Sequence, residues 1–385
     1  MIADPSRAAA LARLTAFAPH MGRDYAARRN SDGGPGARCV SGLSAHLRHR
    51  LISESEVVAV ALAHHGAAGA EKFIQEVFWR SYWKGFLELR PQMWRDYRRA
   101  AAQAPRPPGL AAAMAGQTGI ACFDAWVQEL TETGWLHNHA RMWCASIWIF
   151  TLRLPWVLGA EFFLAHLADA DAASNTLSWR WVAGIQTPGK HYLARAENIA
   201  RFTEGRFNPQ GQLNETAAPL DEPPPPPASR LPSADASPTG RVGLLLHADD
   251  LGFWPQGCEV AAVAELGGTE PRSTLGLGHV AREFTEGAMA DALARAGRAP
   301  RLAPGEVVAW ARAQGLTSIV SPWAPIGWTR PGLEDAIKLC ATEGITLRRL
   351  RRAWDEACWP LAQRGFFPFR AEIPRLIAEL RPVSA

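Results

Sequence analysis

Glu76 and Arg80 stand four residues apart in Glu71-Lys72-Phe73-Ile74-Gln75-Glu76-Val77-Phe78-Trp79-Arg80-Ser81-Tyr82-Trp83, so on a helix they share one face. Taken alone, such a pair reads as a surface ion pair; in a cleft, the same carboxylate accepts hydrogen bonds from a ligand. Ser41 and Ser44, in Ser41-Gly42-Leu43-Ser44-Ala45-His46-Leu47-Arg48, are small hydroxyls at an expected helix start. There they either cap the helix or donate to phosphate oxygens beside free backbone N–H groups. Asp169 and Asp171 form an Asp-x-Asp in Leu167-Ala168-Asp169-Ala170-Asp171-Ala172-Ala173-Ser174-Asn175. In isolation this is a solvated face, a capped loop or a cation site. Arg141, upstream in Thr133-Gly134-Trp135-Leu136-His137-Asn138-His139-Ala140-Arg141-Met142, tips the balance toward a buried carboxylate, because a guanidinium partner makes one tolerable. Asn175 adds an amide that turns either a donor or an acceptor toward a ligand. His137 and His139 sit two apart and fall on different helix faces, which argues against a shared zinc.

Helices must position these groups. From about Ser41 to Ala200 the pattern is helical. Ser53 with Glu56 reads as a capping box whose helix should end at Gly66. A longer helix is expected from about Ala68 to Leu89, stopped by Pro91, and others near 120 to 133, 136 to 153 and 158 to 168. Residues 209 to 240 hold Pro223 to Pro227 and further prolines, and read as an extended linker. Beyond it, Val242 to Leu246, helix 305 to 314, strand-like Leu316 to Val320, helix 331 to 342 and strand-like Ile345 to Leu350 alternate, which implies a small parallel α/β layer. Gly276-Leu277-Gly278 lacks the leading strand and the full spacing of a dinucleotide fingerprint.

With 385 residues, 48% hydrophobic and 20% charged, the chain can bury a large core as two or three globular domains. A formal charge of +4 and a pI near 8.8 are compatible with a polyanionic partner without identifying one. Cys39, Cys122, Cys144, Cys258, Cys340 and Cys358 are scattered, with neither disulfide-framework nor metal-cage spacing, which fits a reduced cytoplasm. The N-terminal Met1-Ile2-Ala3-Asp4-Pro5-Ser6-Arg7 does not read as a secretory signal, and Met142 to Leu167 is broken by Arg153 and Pro155, so it reads as buried helices rather than a membrane span. Most of the 16 tryptophans precede residue 182, where the plain reading is helical core volume.

The order of Thr133–Met142, Leu167–Asn175 and Trp179-Arg180-Trp181 resembles the photolyase and cryptochrome family over roughly residues 20 to 208. The resemblance implies an α-helical FAD-binding domain of photolyase/cryptochrome type at 1–208, a Pro-rich linker at 209–240, and a small α/β (Rossmann-like) domain at 241–385. It implies FAD as cofactor, held by Tyr25, Ser41, Leu43, Ser44, Leu47, Arg80, Arg141, Asp169, Asp171 and Asn175. Within that set Asp169 pairs with Arg141, Asp171 meets the polar edge of the isoalloxazine, and Asn175 faces flavin N5. Glu76, Asn138, Trp79 and Trp181 inherit contacts to a damaged base, the two tryptophans as facing stacking walls. Trp179 and Trp156 match two members of an electron-transfer chain whose outermost member falls near Gln103; Trp94 and Trp148 are the possible substitutes. Arg48, Lys84 and Arg195 are expected to grip DNA phosphates.

Departures from the family pattern are specific. Val40 replaces a phosphate-contacting Thr, Ser81 replaces an acidic residue, and Gln186-Thr187-Pro188-Gly189-Lys190-His191-Tyr192 resembles the G-K-x-Y of divergent bacterial members. Asn138 and Met142 stand where (6-4)-repairing members carry histidines, which favours cyclobutane dimers. The usual N-terminal antenna domain is missing, and Trp359-Pro360-Leu361-Ala362-Gln363-Arg364-Gly365-Phe366-Phe367-Pro368-Phe369-Arg370 resembles the end of one, so the domain order is read as permuted. The expected function is light-dependent splitting of cyclobutane pyrimidine dimers in DNA by a cytoplasmic monomer without a metal. The alternatives are a cryptochrome-like blue-light sensor or FAD protein without repair activity, and a helical interaction module.

Overall fold

The computed structural model describes residues 4–34, 39–268 and 270–380; part of the Gly-rich stretch before Ser41 lies outside them. The helical part runs through α1 (Arg7–Phe17), α2 (Arg23–Arg28), α3 (Ser44–Arg48), α4 (Glu54–Gly69), α5 (Glu71–Glu88) and α6 (Pro91–Gln103). It continues through α7 (Leu110–Ala115), α8 (Ala121–Thr133), α9 (Asn138–Ser146), α10 (Trp156–His166), α11 (Ala172–Ala183) and α12 (Ala196–Phe202). The capping box at Ser53 and Glu56 forms as expected, satisfying the first free N–H groups of α4. Gly66 breaks the helical backbone at φ +66, a conformation only glycine takes without strain. A π-helical turn, Ile147–Thr151, extends α9 toward Pro155.

Residues 203–240 contain no helix or strand and are strapped along both parts. Ser229 Oγ donates to the Leu89 carbonyl at 2.8 Å, Arg90 to that of Pro226 at 2.8 Å, and Arg351 to that of Pro232 at 2.5 Å. The α/β part contains β1 (Arg241–His247), β2 (Glu259–Leu266), α13 (His279–Arg295), β3 (Arg301–Leu302), α14 (Val307–Ala313), β4 (Ser318–Pro322), α15 (Arg330–Thr342) and β5 (Thr346–Leu350). All the pairings are parallel and the order is β3-β2-β1-β4-β5, so the chain reverses direction across the sheet between β1 and β4.

The last helices, α16 (Ala353–Cys358), α17 (Phe366–Ala371) and α18 (Ile373–Glu379), leave the sheet and join the helical core. Trp354 stacks on Phe78 with ring centroids 4.6 Å apart, and Trp354 Nε1 donates to Ser81 Oγ at 2.7 Å. Gly85 allows this packing, since a Cβ there would lie 2.7 Å from the Trp359 backbone. Ser81, the departure noted in the sequence, is thus a seat for the C-terminal helices.

The seam between the two parts is polar and buried. Arg48 pairs with Asp249 at 2.8 Å, and Arg50 bonds Asp355, Glu54 and Asp250. Glu88 accepts from the Ile326 N–H at 2.7 Å and from Arg330 at 2.5 Å. Arg48 and Lys84, expected at a DNA-facing mouth, are instead 1% and 2% exposed in this seam and cannot reach a phosphate backbone; Arg195 is exposed. Among the described residues, no helix is long and apolar enough to cross a membrane.

Candidate flavin and lesion site

Helix α5 carries Glu76, Arg80, Lys84 and Glu88 at four-residue intervals, one polar stripe along a mostly apolar helix. Arg80 donates to Asp171 at 2.5 Å and approaches the Ser44 carbonyl at 3.4 Å. Asp171 is also the N-cap of α11, accepting from the Ser174 N–H and hydroxyl at 2.8 Å each. Arg141 forks onto Asp169 through bonds of 3.0 and 2.9 Å, as expected. Burial pushes the Asp169 carboxyl up, but the guanidiniums of Arg141 and Arg80 outweigh it and hold it down at about 2.

Ser44, Arg80, Arg141, Asp169 and Asp171 therefore form one network, with Asn175 one turn along α11. Asn175 Nδ2 donates to the Ala160 carbonyl at 2.9 Å, and only the nitrogen end can make that bond. The amide is thereby oriented, and its Oδ1 takes no hydrogen bond among the described residues. A freely flipping amide, as read from the sequence, is replaced by a fixed acceptor.

Other expected residues lie around this knot. Ser41 Oγ accepts from the Leu43 N–H at 3.4 Å, while α3 starts only at Ser44 because Gly42, at φ +64, turns the chain first. Leu43 and Leu47 are core residues, and Tyr25 packs on Phe73 with centroids 5.1 Å apart. Glu76 is half-buried and ion-paired with Arg29, a partner the sequence reading missed because it lies 47 residues away. Burial raises the Glu76 carboxyl above its ordinary value against the opposing pull of Arg29. Asn138 is exposed at the first position of α9. His137 caps that helix, its Nδ1 accepting from the His139 N–H at 3.2 Å; burial pushes it down to about 4, so it is neutral at pH 7.

Trp79 and Trp181 make no ring contact with each other. Phe366 of α17 stacks on Trp79 at 3.5 Å and 12°, while Trp181 stacks on Tyr192 at 5.8 Å. The Tyr192 hydroxyl lies 3.2 Å from His139 Nε2, so the divergent G-K-x-Y segment is tied to α9 beside Asn138. Trp179 contacts Phe163 and Trp148, and its ring leaves no room for a Cβ at Gly159, one turn beyond Trp156.

Residues 73–216 match the family model for the FAD binding domain of DNA photolyase. Among curated proteins, the deoxyribodipyrimidine photo-lyase of Streptomyces griseus is 39% identical over 149 residues, covering 38% of this chain and 32% of the relative. Those of Synechococcus and Thermus thermophilus are each 33% identical, over 47% and 56% of this chain and 39% and 51% of the relatives. The chain thus spans about a third to a half of the length of these relatives. The donor set fits FAD: Arg80 and Arg141 stay partly open at 15% and 24% side-chain exposure, the Asn175 oxygen is unspent, and Trp179 Nε1 and Thr176 Oγ1 on α11 are buried without a hydrogen-bond partner among the described residues. Through residues 73–216, which carry Glu76, Arg80, Arg141, Asp169, Asp171 and Asn175, the chain is similar to the FAD binding domain of DNA photolyase.

Proposed function

We propose that this protein is a light-dependent repair flavoprotein that splits cyclobutane pyrimidine dimers in DNA, acting as a cytoplasmic monomer. The reading is carried by the Arg141–Asp169 and Arg80–Asp171 pairs set beside the oriented Asn175 oxygen, with Glu76, Trp79, Asn138 and Trp181 left partly or fully open around them. Bound reduced FAD would supply the light-driven electron that opens the dimer ring and would receive it back. Asp171, beside the Arg141–Asp169 pair, would meet the cofactor's polar edge, and Ser41, Ser44 and Arg80 would hold its phosphates. Asn175 Oδ1 would accept from N5–H. Trp79 and Trp181 give a flipped-out dinucleotide apolar surface to stack on, and Glu76 and Asn138 hydrogen-bond its polar edge. Arg29 must share or release Glu76 when a lesion enters.

FAD-loaded, chemically reduced protein mixed with a thymine-dimer oligonucleotide is the test, with base absorbance followed under blue light and in darkness. A light-dependent rise is expected, slowed about tenfold in Glu76→Ala, a loss of about 1.4 kcal/mol in transition-state stabilisation. No rise from flavin-loaded protein would favour a photosensor. The Arg29–Glu76 pair supports that second reading, since it already occupies the carboxylate that a lesion would use.

We also infer that the chain divides near 208 and 240 and that its α/β part is antenna-like. In support, a cavity of about 280 Å³ opens at the C-terminal ends of β1 and β2 near the switch point, lined by His49, Glu265, Arg272 and Trp328. His49 Nε2, Glu265 Oε1 and Arg272 Nε are buried there without partners. A co-purifying pigment should appear in the action spectrum for repair and be lost from Trp328→Ala; an action spectrum identical to that of flavin alone counts against the role.

A further inference from the structure

We propose that Tyr97 is the terminal electron donor of the photoreduction path, releasing its phenol proton to Glu161. The inference rests on the FAD reading above and on the role that Trp156 inherits from the family. No tryptophan occupies the outermost position expected near Gln103, yet the Trp156 ring lies 5.7 Å from that of Tyr97 and is tilted 34° to it. Tyr97 in turn stacks on Trp94 at 5.3 Å and 26°, and Trp94 meets Trp328 at 6.3 Å. Trp148, the other substitute considered, contacts Trp179 and Phe162 but no further tryptophan or tyrosine among the described rings.

What sets Tyr97 apart is its hydroxyl. It donates at 2.7 Å to Glu161 Oε1, and neither residue is more than 3% exposed. Glu161 stands on α10 with Trp156 and with Ala160, whose carbonyl holds Asn175, so donor, base and flavin-facing amide share one rigid helix. The opposite oxygen, Oε2, accepts from Ser273 Oγ at 2.9 Å and from the Thr274 N–H and hydroxyl at 2.5 and 2.9 Å. Those bonds hold the buried carboxyl group in place, with Oε1 facing the Tyr97 hydroxyl. Arg98, 3.6 Å from Oε1, adds a nearby cation. The first of the influences on the Tyr97 phenol is burial, followed by the Glu161 charge, and both hold its proton in place until the ring is oxidised.

The step balances. Light-excited oxidised flavin is the oxidant; the hole passes through Trp179 to Trp156. One electron then moves from Tyr97 to the Trp156 radical cation, restoring neutral Trp156. The phenol O–H bond breaks, its proton joins Glu161 Oε1, and the products are a neutral tyrosyl radical and a neutral carboxylic acid. No charge remains on Tyr97 to draw the electron back, and a thiol reductant can later quench the radical.

Flash photolysis of the full chain loaded with oxidised FAD tests this, in H2O and D2O and with a thiol present. Wild type should show a tryptophanyl signal giving way to a tyrosyl signal, more slowly in D2O. Tyr97→Phe removes only the hydroxyl; its tryptophanyl signal should persist, and its yield of photoreduced flavin should fall about tenfold. Glu161→Gln should likewise lose the tyrosyl signal, since an amide accepts the hydrogen bond but not the proton. Trp156→Phe should block both radicals. If Trp156→Phe blocks photoreduction while Tyr97→Phe matches wild type, Tyr97 is not the donor and the flavin reading stands. If Trp156→Phe also matches wild type, the inherited path and this proposal fall together.

Discussion

Arg50→Met is expected to destabilise the protein by on the order of 3–5 kcal/mol, the cost of stranding buried carboxylates whose partner has been removed. Arg50 is 2% exposed and forks onto Asp355 through two 2.7 Å bonds, while also reaching Glu54 at 3.2 Å and Asp250 at 3.3 Å. Burial works against its charge, but the three carboxylates outweigh burial and raise its pKa well above the ordinary value. Arg352 would still neutralise Asp250, through bonds of 2.6 and 2.7 Å, whereas Glu54 and Asp355 would lose their bonded guanidinium and keep only the longer-range influence of nearby cations such as Lys84 and, for Glu54, Arg352. Denaturant unfolding of the purified chain reads the effect, and adding Asp355→Leu to Arg50→Met should recover part of it as a coupling energy. A loss below about 1 kcal/mol would put this cluster on the level of a surface ion pair and refute its role in joining the two parts.

That seam marks the boundary of what the sequence discloses. The capping box at Ser53, the Gly66 break and strands β1, β4 and β5 were legible because each rests on neighbours in the chain. So was the Arg141–Asp169 pair, once the family resemblance had given its spacing. Strand β2 was not: Glu259-Val260-Ala261-Ala262-Val263-Ala264-Glu265-Leu266 is rich in alanine, a poor strand former, and is extended because β1 and β3 flank it. Helix α13 was missed as well, since its apolar residues form only a weak stripe. Arg48 and Lys84 were misplaced for a deeper reason. A basic residue near a cleft is ordinarily solvated, and only contacts with Asp249 and the loop around Trp328, more than 200 residues away, reveal that both are interior. Phe366 on Trp79 belongs to the same class of long-range fact.

Asp171→Ala is expected to leave the chain colourless after reconstitution with FAD and to lower its stability by about 1 kcal/mol from the lost N-cap alone. The carboxylate has two tasks that a variant pair can separate. Through Oδ1 and Oδ2 it accepts from the Ser174 N–H and hydroxyl, fixing the first turn of α11 and hence the position of Asn175. Through its charge it holds Arg80 at 2.5 Å and sits near the unpartnered Lys84 ammonium. Asp171→Asn retains an oxygen for capping but no charge, so it should fold nearly as wild type while binding FAD more weakly. The flavin-to-protein absorbance ratio after desalting, read beside thermal unfolding, distinguishes the two tasks. If both variants retain FAD at the wild-type ratio, Asp171 does not contact the cofactor, and the α11 start is only a helix cap. If Asp171→Asn loses FAD yet keeps its unfolding midpoint, the charge itself is what the cofactor's polar edge requires, and the network with Arg80 is a binding site rather than a structural tie.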